Sequence, residues 1–146
     1  MKAKQYLRQV RRLDNTINAK IEQIETLRSM TTNITQSLNA DRVQETRSND
    51  KIEKLIVKII DLEREITDDI DALIDLKREV MHKIDAVQND DYRLLLTLRY
   101  LNFKTWEQIA VEMNFTYQWT CELHKRALIQ FEELYFKVQE VTLDSN

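Results

Sequence analysis

Tyr117, Gln118, Cys121, Glu122 and Lys125 fall at spacings that put all five on one face of a helix. What these side chains offer is hydrogen bonding and charge. Gln118 can pair bidentately with adenine, Glu122 can accept from the cytosine amine, and Tyr117 can meet a thymine methyl or the backbone. Thr116, Lys104, Lys125 and Arg126 are the expected phosphate contacts, with Thr105 beside them. The opposite side of the same stretch carries Thr120, Leu123, Ala127, Phe131 and Leu134 at spacings of three and four, the signature of a buried face. A helix from 117 to 128 that buries one side and presents the other is thus the candidate for reading the DNA major groove.

The residues before it supply what such a helix needs to be held. Thr105 followed by Gln108 is a capping box, and Ile109 and Met113 share one face of the helix it opens. Ala110 is small enough for a second helix to cross closely. Asn114, which tolerates the left-handed conformation, ends that helix; Phe115 is the expected apolar plug and Thr116 the next N-cap. Upstream, Asn89, Asp90 and Asp91 can cap a helix from Tyr92 to about Leu101, whose sequence YRLLLTLRYL is apolar on most sides. Three helices near 91–101, 106–113 and 117–135 make the minimal core of a helix-turn-helix domain, placed at 89–136, with a tail at 137–146.

The rest of the chain reads as an arm. Its 146 residues include no glycine and no proline, so long helices with few tight turns are expected and the class is all-α. Leu7, Val10, Leu13, Ile17, Ile21, Ile24 and Leu27 form one stripe, with Lys2, Lys4, Arg8, Arg11 and Arg12 on the polar side, expected as a solvated coiled-coil face, with a basic arm touching DNA or anionic partners as the alternative. Between 51 and 88, Ile52, Ile59, Ile66, Leu73, Val80 and Val87 stand seven apart, a heptad seam over ~55 Å of helix. The expectation is a long antiparallel coiled-coil hairpin over 1–88, oligomerising through Ile52, Ile59, Ile66, Leu73 and Val80. Residues 29–50, rich in Ser, Thr, Asn and Gln, are expected to be a polar connecting loop.

Composition excludes several classes. There is no glycine-rich phosphate loop and no nucleophile with a histidine base, so an enzyme is not expected. Cys121 and His124 offer only two ligands and Asp68, Asp69, Asp71 and Asp75 spread around a helix, so neither group builds a metal site, and no cofactor or small-molecule substrate is implied. A single cysteine and the lack of a long apolar run make a soluble cytoplasmic protein, away from membranes, the expectation. The formal charge is −3, and residues 90–146 carry six Lys and Arg against nine Asp and Glu, an acidic balance around a candidate DNA reader.

The C-terminal portion resembles region four of bacterial sigma factors in Arg99-Tyr100, in TWEQIAVEM and in the run Lys125–Leu128. Asn114 stands where that pattern has glycine, Thr120 where it has a branched aliphatic, and Trp119 adds bulk. The whole chain is similar to short phage and prophage proteins of Gram-positive bacteria. There MKAKQYLRQVRRLD, IIDLEREI, DLKREV and DYRLLLTLRYLNFKTWEQIAVEM recur in order, over most of residues 1–135 apart from 29–50. The resemblance extends to ArpU-like regulators of phage late genes. It implies a transcriptional regulator that binds double-stranded DNA as a homodimer, with host RNA polymerase as a further candidate partner. Two alternatives from other classes are a small terminase subunit, which joins a DNA-binding head to ring-forming helices, and a coiled-coil interaction protein without DNA contact.

Overall fold

Residues 2–37 and 45–136 are described by the computed structural model. They are all-α. Helix α1 (Ala3–Ser37) and α2 (Glu45–Asp85) form a long antiparallel hairpin, followed by three shorter packed helices, α3 (Asp90–Leu96), α4 (Trp106–Met113) and α5 (Tyr117–Tyr135). No helix among the described residues is long and apolar enough to cross a membrane.

Both hairpin helices enter the segment 29–50, where the composition predicts a loop. The reason lies in the hydroxyls. Ser29, Thr31, Thr32 and Thr35 each donate to the carbonyl four residues back, at 2.9–3.0 Å, so the polar side chains are satisfied inside the helix and need no turn. The remaining connector, 38–44, lies outside the described residues, as does the tail at 137–146.

Two compact units divide the chain, one of residues 13–72 and one joining 1–12 to 73–146. In the first, Ile17, Ile24 and Ile66 are buried between the two helices, and Leu13, Leu27, Ile52, Leu55, Ile59 and Leu62 are half-buried. Lys20 bonds Asp69 at 2.6 Å and lies 3.6 Å from Glu65, while Arg28 meets Glu63 at 2.8 Å. The bond to Asp69 raises the Lys20 ammonium above its ordinary value. Asp69 is therefore an ion-pair partner across the hairpin.

The second unit holds the larger core. Ala3, Tyr6, Leu7 and Val10 from α1 meet Val80, Ile84 and Val87 from α2 and its end, then Leu95, Leu96, Leu98, Ile109, Leu123, Ala127 and Phe131 from the short helices. The C-terminal helices thus close on the first turns of the chain. The Ala3 amide donates to Glu132 Oε1 at 3.2 Å and the Tyr135 hydroxyl to the Lys83 carbonyl at 2.6 Å.

Leu7 and Phe131 are fully buried in one core. Leu7→Ala is expected to lower unfolding free energy by ~2–5 kcal/mol and to shift the melting of the C-terminal helices with it. Ile21→Ala, at a position 40% exposed, serves as the control. In urea titrations followed by circular dichroism, equal small losses for the two variants would show that α1 is not part of this core.

Candidate nucleic-acid interface

Each local signal around α4 and α5 takes the geometry its residues dictate. The Thr105 hydroxyl accepts from the Gln108 amide at 3.2 Å and Gln108 Oε1 accepts from the Thr105 amide at 3.0 Å, closing the capping box. Asn114 ends α4 at φ 62° and ψ 39°, and the Phe115 amide reaches the Ala110 carbonyl at 2.9 Å. Thr116 then accepts from the Trp119 amide at 3.1 Å and starts α5. Thr120 is fully buried where an aliphatic would be easier, yet its hydroxyl donates to the Thr116 carbonyl at 2.8 Å, so no polar group is orphaned.

Before α4 the path is tighter than expected. After Leu96 the helix widens over Thr97–Leu101, with the Asn102 amide bonding the Thr97 carbonyl five residues back. Phe103, φ 58°, then takes the left-handed turn in a chain with no glycine to do so. Its ring is held between Arg11, 4.6 Å from the centroid, and Lys77, 5.4 Å away. Arg99 secures the next residue through its bond to the Lys104 carbonyl, 2.9 Å, and lies 4.5 Å over Trp106.

Thr120, Leu123, Ala127 and Phe131 are buried as the spacing predicts, whereas Leu134 is 41% exposed. His124 belongs to the buried face as well. Its Nε2 lies 2.7 Å from the Tyr100 hydroxyl, and its ring sits 4.4 Å from Trp106. Burial, then the charges of Lys4, Arg99 and Arg8, push His124 down to about 4, while burial pushes Tyr100 up to about 12. At neutral pH the tyrosine therefore keeps its proton and the imidazole is uncharged, so the pair is a hydrogen bond between two neutral groups.

Of the presented residues, Tyr117, Gln118, Glu122, Lys125 and Arg126 are exposed and Cys121 is half-buried. Cys121, by its charge and a hydrogen bond, holds the Tyr117 phenol above its ordinary value, with Glu107 adding to this and Arg99 opposing it. Two expected phosphate contacts are engaged elsewhere. Lys104 Nζ bonds both oxygens of Glu112 at 2.6 Å. Arg126 meets Glu122 on its own helix at 3.4 Å and lies over Trp119. The Thr105 and Thr116 hydroxyl oxygens accept the capping amides, which leaves their protons to donate.

Of the five seam residues, Ile66 and Val80 are buried and Ile52, Ile59 and Leu73 half-buried within the chain itself. Apolar residues left outside on α2 include Ile56, Ile60 and Ile70.

The basic face of α1 lies in the same unit, with a neighbour the sequence did not indicate. Lys4, Arg8, Arg11 and Arg99 line a cleft with Tyr100, Phe103, Thr105 and Trp106. The signal was partial. Lys4, Arg8 and Arg11 at spacings of four and three mark a basic helix face, but nothing in the linear sequence sets that face beside Arg99. Folding also changes the charge balance. Residues 1–12 bring five cations and no acid to a stretch, 73–146, with nine cations and twelve acids, leaving the unit net +2.

A family model described as "Protein of unknown function (DUF1492)" matches residues 34–131, two-thirds of the chain. The chain belongs to this family. Its DUF1492 match takes in the end of α1, all of α2 to α4 and α5 as far as Phe131, and so includes the presented residues of α5. Among curated proteins and solved structures, none matches the chain.

The buried histidine sets a pH dependence with a definite sign. A folded value of about 4, below the ordinary 6.5, means that the unfolded chain binds the proton first. The His124 contribution is complete above pH 6.5 and is lost as the pH falls toward 4, with a slope approaching ~1.4 kcal/mol per pH unit. Denaturation of the wild type and of His124→Gln across that window checks this, since the substituted side-chain amide still accepts from Tyr100 without titrating. The advantage of the wild type is expected to shrink with acidification, and parallel pH curves would place His124 in water.

Proposed function

We propose that this chain is a sequence-reading DNA-binding protein of the helix-turn-helix kind, acting in transcriptional control of a phage or prophage. The observation that carries the reading is the two-sidedness of α5. Thr120, Leu123, His124, Ala127 and Phe131 are locked into the core, while Tyr117, Gln118, Glu122 and Lys125 stand uncovered with Cys121 at their edge. Such a helix is rigid, capped at its start, and preceded by a three-residue turn from α4, which suits insertion of its first half into a major groove.

Gln118 is the residue placed to address an adenine, Glu122 a cytosine amine and Tyr117 a thymine methyl or the backbone. Lys125 is the phosphate contact at that end; no carboxylate among the described residues pairs with it. Lys104 and Arg126 would have to exchange their carboxylates for phosphates, so their share is smaller. A homodimer belongs to this reading because pairing brings a second α5 to the same duplex. Since α1 covers much of the heptad seam, exposed apolar residues of α2 such as Ile56, Ile60 and Ile70 are a surface left for it. Contact with host RNA polymerase is the expected route to regulation.

Selection of bound sequences from random duplexes, at stated salt, tests the reading. A shared motif is expected. Gln118→Ala should then weaken binding by ~1–3 kcal/mol and relax preference at one position, leaving the others intact. A chain that retards no duplex would instead support an interaction module without DNA contact, and unchanged affinity and selectivity would remove Gln118 from the interface.

A further inference from the structure

Four cations line one side of the C-terminal unit. Lys4, Arg8 and Arg11 come from successive turns of α1 and Arg99 from the widened turn before α4, and with Thr105 they surround a cleft of about 300 Å³. Among the described residues no carboxylate pairs with any of the four, although ion pairs elsewhere in the fold are frequent. Like charges gathered without a counter-charge raise the energy of the folded state, and an anion in the cleft relieves that. The cations also act together, since Lys4, Arg99 and Arg8 each depress the same buried imidazole, His124.

The walls say which part of an anionic ligand is recognised. Phe103 has Arg11 and Lys77 on its ring, and Trp106 has Arg99 on its ring and His124 packed against it. Cations thus lie against both aromatic walls. What remains on offer is charge, guanidinium N–H groups and the Thr105 hydroxyl, whose oxygen accepts from Gln108 and whose proton can still be donated. Arginine forks match phosphate oxygens well. We propose that this cleft is a phosphate-binding site, built from the start of α1 and the entry to α4.

Two sources supply that chemistry, the backbone of a duplex and free phosphate. Arg99 links the cleft to α5, lying 4.5 Å over the Trp106 ring, which packs 4.4 Å from His124. A duplex held by α5 would then have a second grip in α1, independent of base sequence. This extension rests on the DNA-binding reading, whereas the phosphate site itself does not.

The test compares the full chain with the double variant Arg8→Gln, Arg11→Gln, both exposed positions outside the core. In one arm, inorganic phosphate is titrated against chloride at matched ionic strength. A saturable rise in melting temperature is expected for the wild type and its loss in the variant. In the other, duplex affinity is measured against salt, and the log–log slope is expected to fall by about 2 in the variant, with affinity lowered equally for selected and random sequences. A phosphate response without a slope change assigns the cleft to free phosphate. If no duplex is retarded at all, the DNA reading fails and the phosphate titration alone decides the cleft. Identical behaviour of wild type and variant in the phosphate titration, with no slope change where a duplex is bound, overturns the proposal.

Discussion

The C-terminal unit depends on the burial of Phe131. Its ring lies 6.1 Å from Tyr6, 4.8 Å from Tyr135 and 6.4 Å from Phe136, so one aromatic cluster ties the first turns of α1 to the last turns of α5. Polar tips of the cluster are satisfied at its rim. The Tyr6 hydroxyl donates to Glu79 at 2.8 Å, which lowers that carboxyl below its ordinary range, and burial holds the phenol well above its own. Lys83 sits 4.4 Å over Tyr6 and gives its carbonyl to Tyr135. Aromatic packing of this kind contributes beyond the area it buries. It joins residues more than a hundred positions apart, so both ends of the unit share one core.

That closure decides the electrostatics. By linear position α5 sits in an acidic stretch, which would repel a phosphate backbone. In the folded unit the five cations of residues 1–12 come to the same side of the balance, and three of them enter the cleft beside Arg99. Meanwhile the nearest candidate cations on the motif, Lys104 and Arg126, are partly neutralised by Glu112 and Glu122. The charge relevant to an anionic partner therefore resides as much in α1 as in α5.

The local code of the motif was legible because it is local. A capping box, a small residue for crossing, an asparagine able to turn left-handed and a threonine cap each act within four residues, and their hydrogen bonds follow directly. The heptads of α2 were legible for the same reason of short period. Other features depended on distant or competing terms. The 29–50 segment looked like a loop because its Ser and Thr are poor helix formers, but their hydroxyls found carbonyls one turn back. His124 looked indifferent because only Tyr100, 24 positions away, gives its nitrogen a buried partner. The left-handed Phe103 had no sequence cue, since Arg11 and Lys77, which hold its ring, lie far off in sequence. The membership of α1 in the C-terminal core is invisible to periodicity, which reports a buried face but not what buries it.

Cys121 offers the most direct measurement, being the chain's single cysteine and half-buried at the edge of the presented face of α5. Its alkylation rate, followed by mass spectrometry with and without a duplex that the chain demonstrably retards, reports whether that face is covered on binding. If α5 enters the groove, the bound duplex slows modification of Cys121 in proportion to occupancy. A bound duplex that leaves the rate unchanged would contradict the assignment of α5 as the reading helix.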